Sequence, residues 1–501
     1  MVISIFFFLT TALIGWRAHD DFGVSQDEPA VLKFGLDTWL YIFHDGNMPS
    51  VLDWKFYNPI IQGMLAGLIN LFQIQDIHQV WSLNHYLMFL VFLSGVAAFV
   101  TIARRLTDSI WWAILGALWL ICTPRIFAHA FVNPKDIPAL TFFTFSILTL
   151  LNVLYRPTIP HILLHSLVCA FSISTRIFGV IVPLLTVGYF VDFALPFSIS
   201  SLKRAALRIC LHVFLVAIFT VAIWPALWDH PIKMLVGAMV NSTSRGAGVD
   251  LPWYYVPLWM AITIPITYSV FFVIGIVVVL REFFQSPIPV IRRQIPVIAT
   301  IWLLAPIVAQ ILFNIGIFNE WRHLLFIYPA FILLSLVGVI WIYNKFSNKV
   351  CCGLIICLTI GTLLPVTWMW RNHGLEQMYF SVPTYLVIGN FEGDYWSLSY
   401  RQGVEWIVEN DSRSQIVLYG VSKQILDSIS TMGTVQRSRV KVTRRPEDAD
   451  YILDNYVSTG YKPILPDTEL VHAIFVDGIR VLGIYEGHRT YELESIVIPH
   501  E

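Results

Sequence analysis

Charged residues are scarce in this sequence: Asp, Glu, Lys and Arg make up only 13% of its 501 residues, and the formal net charge is −1. A near-neutral chain lacks the basic surface that nucleic-acid binding requires. So low a charged fraction also argues against a series of water-soluble domains. A charge near hydrocarbon costs about 2.5–3.5 kcal/mol at the bilayer centre, so each such position calls for a reason.

Cysteine is also sparse, and its placement excludes two common roles. The six cysteines lie in or beside apolar runs, and none lies in the polar stretch that follows residue 370. No CxxC pair and no Cys/His spacing typical of zinc ligands occurs. We therefore expect free thiols rather than a disulfide framework.

Apolar and aromatic residues dominate instead, at 56% and 15% of the chain, and the mean hydropathy is +0.68. The opening run, MVISIFFFLTTALIGW, has the apolar character of a signal peptide but no basic leader and no small-residue cleavage site. We interpret it as a short first transmembrane helix. Many longer apolar runs follow it, which predicts a polytopic membrane protein.

Basic residues bracket these runs in a consistent pattern. Placing the basic residues of alternate loops on one side of the membrane satisfies the positive-inside rule. These residues are Arg104, Arg105, Arg156, Lys203, Arg204, Arg208, Arg281, Arg292, Arg293, Lys345 and Lys349. The pattern predicts about eleven transmembrane helices, with the amino terminus inside and the carboxyl terminus outside.

This orientation leaves three long segments outside. The first loop, 17–85, contains two half-apolar stretches that we expect to be helices lying in the membrane interface. The second loop, 225–257, is rich in Trp, Gly and Pro. The tail alternates in QIVLYG, ADYILDNY and VLGIYEG, which predicts strands, and YRQGVEWIVEN predicts a helix. We therefore divide the chain into a transmembrane domain, 1–395, and a small extracytoplasmic α/β domain, 396–501.

Most of the unusual charges fall at the outer ends of the predicted helices. Two adjacent carboxylates, Asp27 and Glu28, follow the first apolar run. The others lie in PRIFAHAFVNPKDIP, STRIFG and NEWRHLLF, and they are Arg125, His129, Lys135, Asp136, Arg176, Arg322 and His323. Cations that converge with carboxylates on one membrane face suit an anionic ligand such as a phosphate, together with a general base.

The ordered set SQDEP, NPKDIP, STRIFG, WPALWDHP, PWYYVPLWMAITIP, NEWRHLLFIYP and FEGDYWSLSY resembles membrane glycosyltransferases of the GT-C superfamily. The closest resemblance is to the bacterial branch of the dolichyl-phosphate-mannose protein mannosyltransferase family. The motifs run in order from Asp27 to about Arg401. The tail beyond them carries no motif of the family, and the chain lacks the β-trefoil insertion of eukaryotic members.

The resemblance implies a polyprenyl-phosphate-linked sugar donor, attack by an acceptor hydroxyl, and an active site at the outer membrane face. Its acidic pair maps to Asp27, as general base, and Glu28, which orients Asp27 or holds a basic partner. The alternative for both is capping of the helix that begins at Pro29. Lys135 is expected to contact the donor phosphate while Asp136 orients it. The alternative for these two is a plain ion pair that ends a helix.

Arg322 is expected to clamp the phosphate, or else to anchor the chain at the interface beside Trp321. His323 and Arg176 are assigned to the same phosphate site, and a buried Arg176 would need a carboxylate or phosphate partner. Aromatic residues of the second loop are expected to stack on the sugar or acceptor, or else to belong to an interfacial belt. These residues are Trp253, Tyr254 and Tyr255.

We therefore expect an integral-membrane glycosyltransferase that moves a hexosyl or pentosyl unit to a glycan, lipid or protein acceptor. The expected location is a bacterial inner membrane, with the site facing the periplasm. No cofactor and no nucleic-acid partner is expected, although carboxylates such as Asp27 and Glu28 also suit a divalent cation. The alternatives are a ligase that moves a whole glycan from a pyrophosphate carrier, and a transporter of lipid-linked sugars. The absence of an internal repeat and the gathering of charges on one face favour the enzyme.

Overall fold

The fold is given by a computed structural model of the whole chain. It describes residues 2–44, 56–192, 198–244, 251–285, 291–317, 319–391, 393–457, 459, 464 and 468–487. Glu392 lies outside the described residues, as does most of the Gly-rich part of the second loop.

Helices make up the first three quarters of the chain. In chain order they are α1 (Val2–Ala18), α2 (Glu28–Phe43), α3 (Ile60–Phe72), α4 (Ile77–Thr107), α5 (Ile110–Ile121), α6 (Pro124–Val132), α7 (Asp136–Tyr155), α8 (Ile159–Thr175), α9 (Ile181–Asp192), α10 (Ile199–Ile223), α11 (Pro231–Ser244), α12 (Tyr255–Thr263), α13 (Ile266–Gln285), α14 (Ile291–Leu312), α15 (Tyr328–Lys345) and α16 (Asn348–Arg371). A 3₁₀ segment, Arg322–Ile327, leads directly into α15.

The chain is an integral membrane protein with a mostly helical fold, as the sequence predicts. In the described residues, seven helices are long and apolar enough to cross a membrane. The pair α5 and α6 makes an eighth if it is counted as one span bent by 70°. Pro124 causes this break, because the residue before a proline is pushed out of the helical region. Three shorter apolar helices, α1, α8 and α9, would complete the predicted eleven, whose number and orientation remain predictions.

The spans differ greatly in how deeply they are buried. In both α7 and the helix that runs from Arg322 through α15, 78% of the most apolar window is buried, against 11% for α10 and 22% for α16. The two most buried helices therefore form the centre of the bundle. They begin at Asp136 and Arg322, so the centre of the fold presents charged groups where these helices start.

The first loop contains the two predicted amphipathic helices, α2 and α3, which pack against each other. Gly35 of α2 lies against the backbone of Gln62 in α3, and Gly67 of α3 lies against the ring of Trp39. Leu40, Phe43, Met64, Leu71 and Phe72 keep large apolar side chains exposed on this pair. Such a surface is typical of helices that lie in a membrane interface.

The tail contains helix α17 (Ser399–Asn410) and a five-stranded sheet. Its strands are β1 (Ile416–Gly420), β2 (Val440–Val442), β3 (Tyr451–Asp454), β4 (Leu470–Val476) and β5 (Ile479–Glu486), in the order β2-β1-β3-β5-β4. The strand pairs β1–β2 and β1–β3 are parallel, and the others are antiparallel. Two short helices, α18 (Gln424–Ser430) and α19 (Thr434–Ser438), connect β1 to β2.

The three alternating stretches form β1, β3 and β5, and the predicted tail helix is α17. The tail has a core of its own, which includes Val404, Ile407, Leu418, Leu453 and Leu482. The small C-terminal α/β unit of the predicted fold is thus present, while the division between residues 395 and 396 remains a prediction.

The tail is fastened to the helical bundle by specific contacts. Trp81 donates to Ser430 at 2.7 Å, Arg437 pairs with Asp76 at 3.0 Å, Arg401 donates to the Phe22 carbonyl at 3.0 Å, and Trp368 donates to Asp477 at 2.7 Å. These partners lie at the start of α4, in the loop after α1 and at the end of α16. The tail therefore sits beside the first loop.

We expect Gly275→Ala to lower the thermal stability of the purified protein. A Cβ at Gly275 of α13 would come within 1.8 Å of the Leu334 carbonyl oxygen on α15, so α13 and α15 would have to separate. Overpacking of this kind costs about 1–3 kcal/mol. Thermal unfolding in detergent measures the loss. The matched control is Gly353→Ala in α16, where nothing lies within 4 Å, and an equal effect in both variants would contradict the prediction.

Candidate active site

The loop that follows α1 brings Asp27 to the starts of the two most buried helices. Ser25 donates to the Val132 carbonyl at 2.7 Å, which fastens the loop to the end of α6. The backbone N–H of Ser25 donates to Glu28 at 2.6 Å and shapes the first turn of α2. Asp27 occupies the N-cap position, but its side chain makes no capping hydrogen bond. Its carboxylate points elsewhere.

Two cations hold the Asp27 carboxylate. Its Oδ2 atom accepts from Lys135 Nζ at 2.7 Å and from Arg322 Nη1 at 3.0 Å. The side chain of Asp27 keeps 19% of its surface exposed, while those of Lys135 and Arg322 keep 8% and 6%. Three residues far apart in the sequence thus meet at one oxygen atom of a side chain that is partly exposed to solvent.

The same contacts set the proton affinities of two of these groups. Burial raises the pKa of Asp27, but the charges and hydrogen bonds of Lys135 and Arg322 outweigh burial and lower it to about 2. Burial lowers the pKa of Lys135 to about 8, against the opposing effect of Asp27. Asp27 is therefore fully ionised near neutral pH, and Lys135 titrates close to it.

Glu28 faces away from Asp27 and into the protein. Its Oε1 atom lies 3.0 Å from His85 Nε2 and accepts from Asn84 at 2.9 Å. His85 also contacts the His19 carbonyl at 3.1 Å through Nδ1. His85 is thus the candidate for the basic partner expected of Glu28. Glu28, His85 and Asn84 form a buried cluster that stabilises the loop.

The NPKD turn between α6 and α7 is built around Asn133. Its Oδ1 atom accepts from the backbone N–H groups of Lys135 at 3.2 Å and Asp136 at 2.9 Å, and its Nδ2 donates to the Asp136 carboxylate at 2.9 Å. Because a proline follows, Asn133 is extended (φ −110°, ψ 91°) and α6 ends there. The turn points the side chain of Lys135 toward Asp27.

Asp136 forms a buried ion pair with Arg176, which follows the last residue of α8. The pairing differs from the expected one, in which Asp136 orients Lys135 directly. Adjacent residues at a helix start point in different directions, so Lys135 reaches Asp27 and Asp136 reaches Arg176. The charge partner that a buried Arg176 requires is therefore a carboxylate on the neighbouring helix.

Tyr57 lies between two of the cations. Its ring centroid is 5.2 Å from the Arg176 guanidinium and 5.7 Å from Lys135 Nζ. His323 is partly buried and shares a narrow cavity with Tyr57 and Arg176. Tyr57 therefore connects the Asp136–Arg176 pair to the group formed by Asp27, Lys135 and Arg322. His323 lies beside them.

Arg322 is positioned by aromatic rings from the segment before α17. Its guanidinium lies 4.6 Å from the Trp396 ring centroid and 5.5 Å from that of Tyr395. A guanidinium over aromatic faces gains from their quadrupole and loses freedom of movement. This contact brings part of the FEGDYWSLSY motif beside the charged groups. Asp394 of the same motif accepts from the backbone N–H groups of Leu398 and Ser399, which joins the segment to the start of α17.

The aromatic residues expected to contact the sugar or acceptor lie just before and at the start of α12. Trp253 and Tyr254 pack edge to face with 69% and 48% of their surfaces exposed, and Tyr255 begins α12 and packs against Trp259. None of their described ring contacts is with Asp27, Lys135 or Arg322. Sequence reasoning also missed Tyr57, Asn133 and Trp396. Asn133 and Trp396 stand inside two of the quoted motifs, so a closer reading of those motifs would have found them.

Both carboxylates of the acidic pair are engaged by different partners, so they do not converge as metal ligands among the described residues. One other group, outside the site, has ligand atoms close enough for a metal ion: His165, Cys169 and His212. Each His there already bonds hydroxyls, namely Thr149, Thr186 and Ser166 at 2.8 Å. We interpret this group as polar contacts that join α7, α8, α9 and α10.

No protein-family model matches this chain, and neither does any curated protein. Solved structures do match this chain. ArnT from Cupriavidus metallidurans bound to undecaprenyl phosphate aligns with a TM-score of 0.52 at 12% identity, over 96% of this chain and 97% of ArnT. The apo state of ArnT aligns with a TM-score of 0.50 at 13% identity, over 96% and 98%.

The archaeal oligosaccharyltransferase AglB from Archaeoglobus fulgidus, in complex with an inhibitory peptide and a dolichol-phosphate, aligns with a TM-score of 0.48 at 9% identity, over 91% of this chain and 70% of AglB. The likeness to ArnT spans both chains almost completely, including the tail. The GT-C resemblance is therefore confirmed at the level of the fold, while the protein-mannosyltransferase branch remains a prediction. This chain therefore has the fold that ArnT shows.

Proposed function

We propose that this protein is a membrane glycosyltransferase that transfers a sugar from a polyprenyl-phosphate carrier to an acceptor hydroxyl. The observation that carries the proposal is the contact of both Lys135 and Arg322 with Asp27, whose side chain is partly exposed. A carboxylate beside two phosphate-binding cations supplies a proton acceptor and a leaving-group site in one place. The fold of ArnT, crystallised with undecaprenyl phosphate, supports the choice of a lipid-phosphate carrier.

The cations bind the carrier phosphate and stabilise it as it leaves. Lys135 and Arg322 lie nearest Asp27, and Arg176 lies on the other side of Tyr57. During transfer the acceptor oxygen bonds to the anomeric carbon of the sugar, and the bond between that carbon and the phosphate oxygen breaks. The electron pair of the broken bond stays on the phosphate, so polyprenyl phosphate leaves with an added negative charge that the cations neutralise.

Asp27 accepts the proton of the attacking hydroxyl. It is the carboxylate of the acidic pair that solvent reaches, since Glu28 is buried against His85 and Asn84. Glu28 acts as a positioning residue that holds the loop, and Asp136 positions Arg176. The exposed rings of Trp253 and Tyr254 lie outside this centre and serve as an interfacial anchor or an acceptor contact.

We further propose that the site faces the periplasm of a bacterial inner membrane, in line with the positive-inside pattern. We also propose that the transferred sugar is a hexosyl or pentosyl unit, that the acceptor is a glycan, lipid or protein, and that the chain divides into domains 1–395 and 396–501. A transporter would move the lipid-linked sugar without releasing free polyprenyl phosphate. An assay of polyprenyl phosphate release therefore distinguishes a glycosyltransferase from a transporter.

Asp27→Asn should abolish release of polyprenyl phosphate, with a loss of about 10²–10⁴-fold, because an amide cannot take the proton. The assay offers polyprenyl-phosphate and polyprenyl-diphosphate sugars, with envelope extracts as acceptors, to the purified protein in lipid. Asp37→Asn is the matched control, since Asp37 lies on the same helix in a surface pair with Lys33. Full turnover by D27N would exclude the base role.

Affinity for undecaprenyl phosphate should fall as the pH rises through about 8, where Lys135 loses its charge. Asp27 is already ionised well below this pH, and a phosphate monoester has its second pKa near about 6. Lys135→Arg stays charged and should bind with little pH dependence over the same range. Equilibrium binding in lipid nanodiscs on both sides of this pH gives the two curves, and parallel curves would contradict the role of Lys135.

Transfer should survive treatment with EDTA. The positive charge that a divalent cation would bring to the leaving phosphate is supplied by Lys135, Arg176 and Arg322. Turnover is measured before and after chelation and after addition of Mg²⁺ or Mn²⁺. Loss on chelation that either ion restores would instead place a cation among the carboxylates.

A further inference from the structure

Lys135 and Arg322 have two competing partners in this site. Both cations bond the same oxygen of Asp27, at 2.7 Å and 3.0 Å. The proposed function, on which this inference rests, requires the same two cations to bind the carrier phosphate. A carboxylate that accepts two charge-assisted hydrogen bonds holds its electron pairs tightly and is a poor proton acceptor.

We propose that the carrier phosphate takes over the hydrogen bonds of Lys135 and Arg322 from Asp27, so that binding of the donor itself turns Asp27 into an effective base. The donor must then be in place before the acceptor hydroxyl can be deprotonated. The site thus enforces an order: carrier phosphate first, proton transfer second.

The strength of the contacts makes this exchange necessary. The pKa of Asp27 is lowered from its ordinary value of 3.8 to about 2. A base weakened by nearly two pKa units accepts a proton about a hundred-fold less readily. When its cations turn to a phosphate, and the phosphate adds negative charge nearby, the pKa of Asp27 rises again. The free energy of phosphate binding thereby increases the basicity of the carboxylate.

The geometry also allows the exchange. Lys135 ends in a compact ammonium on a flexible stem, and it lies beside the Tyr57 ring, which also faces Arg176. Arg322 uses Nη1 for Asp27, and its planar group is held over Trp396 and Tyr395. A guanidinium in this setting can bond a phosphate by a small rotation. Asp27, with 19% of its side chain exposed, can be solvated when the cations turn away.

The exchange predicts opposite effects of one substitution on binding and on turnover. The Asp27→Asn protein should bind undecaprenyl phosphate more tightly than the wild type but should fail to turn over a sugar donor. An amide no longer competes for the two cations, and each charge-assisted hydrogen bond is worth enough for about a ten-fold gain in affinity. Asp27→Glu keeps the competing charge and should bind about as the wild type does. Asp37→Asn controls for the loss of a carboxylate elsewhere on α2.

The measurement is equilibrium binding of undecaprenyl phosphate to the full-length protein in nanodiscs, with thermal unfolding as the check on each variant. Asp27→Ser replaces D27N in the comparison if D27N does not fold. Tighter binding by D27N alone among the three variants supports the exchange. Equal or weaker binding overturns it, because Asp27 then serves to position the cations for the phosphate.

The two proposals fail in different ways. If the wild type releases polyprenyl phosphate from a sugar donor and D27N binds no more tightly, only the exchange is wrong. If the wild type releases none from any donor in the panel, the proposed glycosyltransferase is itself wrong, whatever the affinities are.

Discussion

The bonds that Lys135 and Arg322 make to Asp27 are the interaction on which this end of the helical bundle depends. They join the loop after α1 to the starts of the two most buried helices of the bundle. Removing one partner from such a group leaves an unpaired charge in a region with little water, which costs more than most single changes. The group therefore both stabilises the fold and offers a place for chemistry, because the side chain of Asp27 remains partly exposed to solvent.

The remainder of the site serves to hold these three side chains. Asn133 shapes the turn that presents Lys135, and the aromatic rings of Tyr395 and Trp396 hold Arg322. The Asp136–Arg176 pair adds a third cation without adding net charge. Each contact satisfies a polar group that burial would otherwise penalise. The same contacts therefore stabilise the fold and set the charges of the site.

The tail takes part in this arrangement although it carries no motif of its own. Its helices and strands pack against the start of α4, the end of α16 and the loop that carries Asp27. Asp394 fastens the segment with Tyr395 and Trp396 to the first turn of α17. The position of Arg322 therefore depends on how the tail is attached, which gives the tail a structural part in the site.

The sequence by itself determined the class of protein, because long apolar runs and sparse charge permit only a helical membrane protein. It also predicted the strands β1, β3 and β5, since alternation with period two is a local property. Asp27, Lys135, Asp136, Arg176 and Arg322 were found as charges in apolar surroundings, where each needs a partner. Strand β2 has three residues, too few for a periodic signal, and was missed.

Only the tertiary structure decided which charges meet. Lys135 and Asp136 are neighbours in the chain, yet they pair with Asp27 and Arg176, because a helix start points adjacent side chains in different directions. Tyr57 carries no charge and stands in none of the quoted motifs, so nothing in the sequence placed it beside cations. The exposure of Trp253 and Tyr254 likewise depends on packing. Pairing between distant segments is set by how helices pack, and local sequence patterns do not contain that information.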